Sequence, residues 1–140
     1  MENAIVLEYK VADGEFQRAG EVSSDVKHKL KQLGVPADTV RRIAIAMYEG
    51  EVNMVIHANG GDITVVITPE EVKMVLADTG PGIPDIEKAM TAGFSTASDD
   101  TRNLGFGAGM GLPNMKKNTD SLDIETRLGR GTTITMTVKL

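Results

Sequence analysis

Residues 71–82 read EVKMVLADTGPG, a strand-like run followed at once by a glycine-rich turn. Apolar and β-branched residues dominate positions 72–77, so the sequence predicts a buried strand over 71–77. The strand leads directly to Asp78, and Gly80 and Gly82 place no side chain beside this carboxylate. A buried carboxylate is costly unless it meets a donor. The stretch is therefore either an ordinary Asp-Gly turn or a pocket floor whose fixed acceptor suits an amino group such as that of adenine.

Further strands surround this one in the sequence. A strand over 62–68 precedes it across Pro69-Glu70, which predicts a hairpin. A second hairpin joins 122–127 to 132–140, and residues 4–9 form a first strand. Four helices are expected, over 15–33, 38–58, 84–90 and 112–118, with Gly34 ending the first and Asp38 capping the second. The order predicts an α/β (α+β) two-layer sandwich, with a mixed, mostly antiparallel sheet and helices on one face.

Composition limits the class of protein. The chain has 140 residues, a net charge of −5 and no cysteine. This length suits a single domain over 1–140, and the acidic balance argues against generic nucleic-acid binding, which needs a basic face. Without cysteine there are neither disulfides nor thiolate metal sites. We see no signal peptide and no apolar run of eighteen residues, and we expect a cytoplasmic protein with no membrane contact.

The second predicted helix carries polar residues at helical spacing. Glu49, Asn53 and His57 follow i, i+4, i+8, so they line one side of the helix. This row is either a solvated edge or a site in which the Asn53 amide oxygen meets a hard cation and Glu49 orients a hydroxyl. For His57 we prefer a structural interpretation, because an imidazolium near the C-terminus of a helix interacts favourably with the helix dipole. We assign the adjacent stripe Ile45, Tyr48, Val52 and Val55 to the core, and expect Glu51 to be solvated.

A glycine-rich stretch lies near the carboxyl-terminal third. Residues 105–111 read GFGAGMG, directly before the predicted short helix. Free backbone N–H groups and a helix start favour phosphate, although a flexible loop explains such a stretch equally well. It is neither a Walker A loop nor a eukaryotic-type kinase signature. Residues 129–132, GRGT, are by themselves a good hairpin turn.

The order of these elements resembles the four boxes of the GHKL ATPases, the superfamily of gyrase, Hsp90, MutL-type and histidine-kinase catalytic domains. The boxes are Glu49-x-x-x-Asn53, Asp78-x-Gly80-x-Gly82, Gly107-x-Gly109-x-Gly111 and Gly131-Thr132. Within that superfamily the chain is similar to the standalone anti-sigma factor and switch serine kinases of the RsbT, RsbW and SpoIIAB type. Residues 78–86, DTGPGIPDI, and 93–96, GFST, carry this second similarity.

The resemblance implies a role for each matching residue. Glu49 would be the general base that accepts the proton of a substrate serine, and Asn53 would hold Mg²⁺ that bridges the phosphates of ATP. Asp78 would bind the adenine amino group. The full set of implied nucleotide-binding residues is Asn53, Asp78, Gly80, Gly82, Ile83, Gly105, Gly107, Gly109, Met110, Gly111 and Thr132. Residues 91–109 would form the ATP lid.

Three departures from the resembled pattern bear on the lid and its phosphate contacts. The glycine box aligns in two registers, as GFGAG or GAGMG, and both stay open. The arginine that some anti-sigma factors carry before this box is Gly107 here, and Arg102 is a possible substitute. The segment between Ser95 and Gly105 is also longer than in the RsbT type, which bears on the conformation of the lid.

The resemblance implies two functions of different classes. The first is an ATP-dependent serine/threonine-protein kinase that phosphorylates a STAS-domain antagonist in an anti-sigma system. The second is a nucleotide-dependent binding switch that sequesters a sigma factor or another regulator with little catalysis. A homodimer is possible in either case. The catalytic part of a histidine kinase is disfavoured, because the chain has only His28 and His57 and we see no dimerising helical hairpin to carry a phosphoacceptor. A gyrase-like or Hsp90-like ATPase is disfavoured because it would need further domains that 140 residues cannot hold.

Overall fold

The computed structural model describes residues 4–11, 20–57, 61–80 and 111–140. The elements in chain order are β1 (Ile5–Val11), α1 (Glu21–Gln32), α2 (Ala37–His57), β2 (Gly61–Ile67), β3 (Glu71–Asp78), α3 (Gly111–Lys117), β4 (Ser121–Arg127) and β5 (Gly131–Lys139). Each of these agrees with a predicted helix or strand to within a few residues, except that the start predicted for the first helix falls in residues 12–19. These residues, the helix expected over 84–90 and the lid expected over 91–109 lie outside the described ranges.

The five strands form one sheet in the order β1-β2-β3-β5-β4. Every ladder between these strands is antiparallel, which confirms the predicted sandwich. β2 and β3 are joined by a tight turn in which the Thr68 hydroxyl accepts hydrogen bonds from the backbone N–H groups of Glu70 and Glu71. The register sets Gly61 of β2 opposite Asp78, the last residue of β3. β3 is thus a central strand whose end lies between β2 and β5.

One face of the sheet packs against the helices. Buried residues alternate along β2, β3 and β5, as the two-residue period of a strand requires. The helices contribute Val26 and Leu30 from α1, Met115 from α3 and a row of residues from α2 to the same core. No helix within the described ranges is both long and apolar enough to cross a membrane.

The buried face of α2 differs from our prediction. Of the predicted core stripe, Val55 is buried, but Ile45 and Tyr48 are 37% and 38% exposed. The buried residues of α2 are Val40, Ile43, Ala46, Met47, Gly50, Glu51, Met54 and Val55, and Val52 is half-buried. At 100° per residue most of this set lies on the side of the helix away from Ile45 and Tyr48. The prediction was wrong because α2 packs against α1, α3 and the sheet together, which buries a broad face of the helix. The helical spacing of apolar residues does not show which side of α2 this buried face occupies.

The amino-terminal end of α1 is capped by a residue of α2. Glu51 is only 2% exposed, and its two carboxylate oxygens accept hydrogen bonds of 3.1 Å from the backbone N–H groups of Val22 and Ser23. Gly20, at the N-cap position, has no side chain to do this. The first N–H groups of a helix need such partners, and the positive end of the helix dipole favours a carboxylate. The expectation that Glu51 is solvated was therefore wrong.

The start of α2 differs slightly from the prediction. The helix begins at Ala37, so Asp38 lies in its first turn and is not the cap. The carbonyl oxygen of Pro36 accepts the hydrogen bond of the Val40 N–H. An acidic residue in the first turn still interacts favourably with the helix dipole.

A polar cluster joins α1 to the edge strand β1. The Tyr9 hydroxyl donates a hydrogen bond of 2.6 Å to Asp25 Oδ2, and Lys29 Nζ lies 2.6 Å from the same oxygen. The Lys29 ammonium also lies 5.7 Å from the centre of the Tyr9 ring. The hydrogen bonds from Lys29 and Tyr9 hold the pKa of Asp25 below its usual range, and burial together with the Asp25 contact raises that of Tyr9.

Candidate functional site

Asp78 lies at the carboxyl end of the central strand and is fixed by two backbone donors. Its Oδ1 accepts a hydrogen bond of 2.9 Å from the Gly80 N–H and one of 3.0 Å from the Thr132 N–H. The first bond closes the turn after β3, and the second joins that turn to β5. Both bonds end on Oδ1, so the carboxylate is held in one orientation and Oδ2 is the oxygen that we expect to accept from a ligand.

The β5 side of this arrangement depends on Gly131. Its φ is +126°, a value that residues with a side chain rarely adopt. A Cβ at this position would overlap the carbonyl oxygen of Asp78 and lie 3.0 Å from the Thr79 Cα. Glycine therefore lets β5 approach the end of β3 closely enough for the next residue, Thr132, to donate its N–H to Asp78.

The side chain of Thr132 contacts Thr126, which we did not predict as a site residue. Thr132 is only 4% exposed, and its hydroxyl lies 2.9 Å from that of Thr126 on β4. The link from Thr132 to Asp78 is thus made by the backbone. The binding role that the resemblance implies for the Thr132 side chain stays a prediction.

Helix α2 crosses the sheet at the end of β3. Gly50 lies directly against Leu76, because a Cβ on Gly50 would overlap Leu76 Cδ2. One turn later, the Met54 methyl packs against Gly61, the strand partner of Asp78. The two contacts bring the part of α2 that carries Glu49 and Asn53 against the strand end that carries Asp78. The structure therefore places the helix segment that carries two of the predicted site residues next to the strand end that carries the third.

Glu49 and Asn53 are both half-buried, at one boundary of the buried face of α2. Burial raises the pKa of the Glu49 carboxyl, and a hydrogen bond from the Asn114 side chain offsets part of this increase. A partly buried carboxyl with a raised pKa accepts a proton more readily than an exposed one, which suits a general base. An amide oxygen such as that of Asn53 is a suitable ligand for a hard cation.

Several predicted site residues lie outside the described ranges, and their roles stay predictions. These are Gly82, Ile83, Gly105, Gly107, Gly109 and Met110, together with Arg102. Gly80 is buried and donates to Asp78. Gly111 is the first residue of α3, as expected for a glycine box that runs into a helix. His57 is the last residue of α2.

Two residues near the site were missed by the sequence analysis. Asn114 lies on α3 beside the buried Met115 and hydrogen-bonds to Glu49. In the sequence, Asn114 is distinguished only as a polar amide next to core positions in a short helix. Glu49 lies 65 residues away, so the sequence could not identify it as the partner. Thr126 alternates with exposed residues on an edge strand, and nothing in the sequence distinguished it.

Comparison with known proteins gives a family and named relatives. The family described as "Histidine kinase-, DNA gyrase B-, and HSP90-like ATPase" matches residues 38–140. The serine/threonine-protein kinase RsbT of Bacillus subtilis is 34% identical over 74% of this chain and 75% of its own length. The anti-sigma F factor of Caldanaerobacter subterraneus subsp. tengcongensis is 32% identical over 76% of this chain and 74% of its own length. That of Clostridium acetobutylicum is 29% identical over 99% of this chain and 95% of its own length.

A solved structure supports the fold independently. The mycobacterial sensor histidine kinase MprB superposes with a TM-score of 0.55 at 16% sequence identity, covering 96% of this chain and 97% of that one. At this identity the likeness concerns the fold alone. It agrees with the two-layer arrangement of helices and sheet.

Proposed function

The chain belongs to the histidine kinase-, DNA gyrase B- and HSP90-like ATPase family, and we propose that it is an ATP-dependent serine/threonine-protein kinase of the anti-sigma regulatory type. The observation that carries the proposal is the set of contacts around Asp78. Its Oδ1 is occupied by the N–H groups of Gly80 and Thr132, which leaves Oδ2 to accept the amino group of adenine. A charged acceptor in a fixed orientation gives a strong and selective hydrogen bond.

Glu49 is the residue to which we assign the proton transfer. Its carboxyl is half-buried, and burial raises its pKa, so it binds a proton more readily than an exposed glutamate. In the proposed reaction the substrate hydroxyl oxygen attacks the γ-phosphorus of ATP while the bond to the β,γ-bridging oxygen breaks. ADP leaves with that electron pair, and the hydroxyl proton passes to Glu49.

Asn53 is the proposed protein ligand of Mg²⁺. It follows Glu49 by one helical turn and is half-buried at the same boundary of α2. Magnesium is commonly held by one or two protein ligands together with substrate phosphates and waters, and one amide oxygen fits that pattern. When bound, the ion neutralises the negative charge of the phosphates. We assign the remaining phosphate contacts to the residues 105–111 that the resemblance identifies.

The partners that we propose follow from the relatives. One relative is named a serine/threonine-protein kinase and several are named anti-sigma F factors. By analogy, the substrate is a serine or threonine on a STAS-domain antagonist protein, and a sigma factor is a further binding partner. We propose a cytoplasmic location, which the use of ATP and of such partners supports. A homodimer is compatible with this proposal but is not required by it.

A binding switch with little catalysis is the second candidate. The relatives named anti-sigma F factors favour it, since that name denotes capture of a sigma factor. The two functions share the ATP site and differ in what Glu49 does. Under the switch, replacing Glu49 would leave the partner affinity and its dependence on nucleotide unchanged.

A transfer assay separates the two candidates. The purified chain is incubated with γ-labelled ATP, Mg²⁺ and a panel of STAS-domain proteins, alongside the Glu49→Gln and Asp78→Asn variants. We expect label on a serine or threonine of one panel member, lost in Glu49→Gln because the base is gone and in Asp78→Asn because ATP binds weakly. Nucleotide-dependent binding of a sigma factor without any transfer would instead establish the switch. The absence of both phosphoryl transfer and ATP binding would overturn both candidate functions.

A further inference from the structure

The side of α2 that faces away from the sheet carries apolar residues. Ile45 and Tyr48 are 37% and 38% exposed, and Val52 is half-buried. These three side chains lie within about 60° of one another around the helix axis, at helical spacing, so they form one continuous surface. We call this surface the outer stripe of α2. A helix on the surface of a protein normally has charged or polar residues in this position, so the stripe needs an explanation.

Helix α1, which packs beside α2 on the same side of the sheet, follows the normal pattern. All of its exposed residues are polar or charged, namely Glu21, Ser24, Lys27, His28, Lys31 and Gln32. A general tolerance of exposed apolar residues in the helical layer therefore does not explain the outer stripe. The stripe is a property of α2 alone among these two long helices.

The exposed ring of Tyr48 is held in place by α1. Its Cε1 lies 3.2 Å from the position that a Cβ on Gly20, the N-cap residue of α1, would take. On the same turn of α2, Glu51 accepts the N–H groups of Val22 and Ser23. This turn of α2 is thus fixed to α1 at two points. An aromatic side chain that is already fixed loses little conformational entropy when a partner covers it, which is typical of interface anchors.

The outer stripe borders the residues to which we assign phosphoryl transfer. Glu49 and Asn53 directly follow two residues of the stripe in the sequence. Around the helix axis, they lie between the stripe and the buried face of α2, which contacts the end of β3 through Gly50. The nucleotide is assigned to the β3 side. A protein on the stripe would therefore meet the proposed base from the opposite side, which is the arrangement that transfer between the two requires.

An arginine extends the stripe towards the start of α2. Arg41 is exposed and precedes Ile45 by one turn. Its neighbour Arg42 lies 3.5 Å from Asp120, whereas Arg41 makes no ion pair with another residue of the described ranges. Arginine and tyrosine are enriched among the residues that dominate binding energy at protein interfaces. An unpaired guanidinium here favours a partner with a carboxylate about 12 Å along the helix axis from Glu49.

We propose that the outer stripe of α2, together with Arg41, is the docking surface for the protein that receives the phosphoryl group. The inference rests on the kinase function proposed above and names the surface that brings its substrate to Glu49. The occupant is a folded protein that presents apolar side chains to the stripe, a serine or threonine hydroxyl to Glu49 and a carboxylate to Arg41. Burial of the stripe supplies affinity, and the charge pair fixes the orientation.

The first test measures the affinity of each member of the STAS-domain panel for the full chain by calorimetry, with Mg²⁺ and a non-hydrolysable ATP analogue present. The variants are Ile45→Gln and Tyr48→Gln, singly and together, because glutamine keeps the helix propensity and removes the apolar surface. We expect the double variant to bind the partner about 10- to 100-fold more weakly. Tyr48→Phe keeps the ring and should bind nearly as tightly as wild type.

Val6→Gln is the matched control for these variants. Val6 is an apolar residue of β1 that is 56% exposed. Its neighbour Leu7 packs against the core, so Val6 points to the face of the sheet away from the helices. We expect no change in partner affinity. Thermal unfolding and ATP affinity of every variant check that the fold and the nucleotide site are intact.

The second test reverses the charge at the end of the stripe. Arg41→Glu should weaken partner binding about 10-fold at low salt, and the difference from wild type should shrink as the salt concentration rises. Lys27→Glu makes the same reversal on the exposed side of α1 and is expected to change the affinity less than two-fold, roughly the effect of net charge alone. Equal losses in the two variants would show that the site on α2 does not recognise a carboxylate.

The third test separates docking from catalysis in the transfer reaction. For Ile45→Gln and Tyr48→Gln together, we expect KM for the protein substrate to rise about 10- to 100-fold while kcat and the Kd of ATP stay near their wild-type values. Glu49→Gln should show the reverse pattern, with kcat lowered and partner affinity retained. A fall in kcat without a change in KM for the double variant would contradict a docking role.

The outcomes distinguish this inference from the kinase function on which it rests. If the double variant binds and phosphorylates the substrate as wild type does, the docking surface is overturned and the kinase function stands. If wild type transfers no phosphate but binds a panel member through the stripe, the kinase function fails and the surface belongs to the binding switch. The docking proposal is also overturned if no panel member binds the wild-type chain. Light scattering supplies the last arm, since a wild-type dimer that the double variant converts to a monomer would assign the stripe to a second copy of the chain.

Discussion

Asp78 Oδ1 accepts the backbone N–H of Thr132 at 3.0 Å, across 54 residues of sequence. This bond joins the turn that follows β3 to the first residues of β5, and it uses only one of the two carboxylate oxygens. The same group is therefore both a structural acceptor and the candidate adenine acceptor.

Asp78→Asn is expected to lose ATP affinity while the protein stays folded. Asparagine keeps an Oδ1 that can accept from Gly80 and Thr132, but it loses the charge and presents an amide donor to the adenine amino group. Loss of a hydrogen bond to a charged group costs about 1.5–3 kcal/mol, which corresponds to roughly a 10- to 150-fold weaker Kd. Calorimetric titration with ATP measures the affinity, and thermal unfolding checks the fold. Equal affinity in wild type and variant would contradict the adenine assignment.

Gly131→Ala is expected to destabilise the protein and weaken ATP binding. The new Cβ would overlap the Asp78 carbonyl oxygen at a φ of +126°, so β5 must move and Asp78 loses its Thr132 donor. A strained backbone residue costs of order 1–3 kcal/mol, and the overlap adds to this. Urea unfolding gives the free energy of unfolding, and a nucleotide titration gives the affinity.

Gly129→Ala is the matched control for this prediction. Gly129 also has a positive φ, +74°, but nothing lies within 4 Å of its Cβ position. We expect a loss of about 1 kcal/mol from the left-handed conformation and no change in ATP affinity. If both variants lose the same stability and the same affinity, the close approach of Gly131 to Asp78 is not what the site requires.

Glu49→Gln is expected to lower kcat about 100- to 10,000-fold, the range typical for removal of a general base. The affinity for ATP should stay near that of wild type. Because burial raises the pKa of Glu49, the carboxyl stays protonated to a higher pH than an exposed glutamate, and wild-type activity should fall as the pH drops through that value. A rate–pH profile measures this acidic limb, which should be absent from any residual activity of Glu49→Gln.

Glu51→Ala is expected to lower the free energy of unfolding by about 1–3 kcal/mol, because two N–H groups of α1 lose their acceptors. Glu51→Gln keeps one oxygen acceptor and should lose less. Denaturant unfolding measures both, and amide hydrogen exchange should show faster exchange at Val22 and Ser23. A Glu51→Ala protein as stable as wild type would contradict the capping role.

Asp25→Asn is expected to make stability less dependent on acidic pH. The hydrogen bonds from Lys29 and Tyr9 hold the Asp25 pKa below its usual range, so this carboxyl contributes stability that is fully present above its unfolded value and is lost as the pH falls through its lowered folded value. The gap in Tm between wild type and Asp25→Asn should therefore close towards low pH. Tyr9→Phe, which keeps the Lys29 contact, should show a smaller change of the same sign. A gap that does not vary with pH would contradict the prediction.

Much of the fold could be predicted from the sequence. Apolar and β-branched runs bounded by turn residues predicted all five described strands, and in β2, β3 and β5 the buried residues alternate as a strand with one buried face requires. Turn residues and Gly34 fixed most element ends to within a few residues. The orientation of α2 could not be predicted, because three partners cover it and Ile45 and Tyr48 satisfied the helical period equally well.

The candidate site likewise has a part that the sequence predicts and a part that it does not. The sequence alone identified the candidate side chains, since Glu49 and Asn53 recur at helical spacing and Asp78 ends an apolar strand. The contacts that hold these side chains in place are visible only in the three-dimensional structure. The Asp78–Thr132 bond, the Glu51 cap on α1 and the Asn114–Glu49 pair each join residues 28 to 65 positions apart. Periodicity reports on neighbours within one element, whereas these contacts depend on how closely two elements approach, which the glycines at 50 and 131 allow.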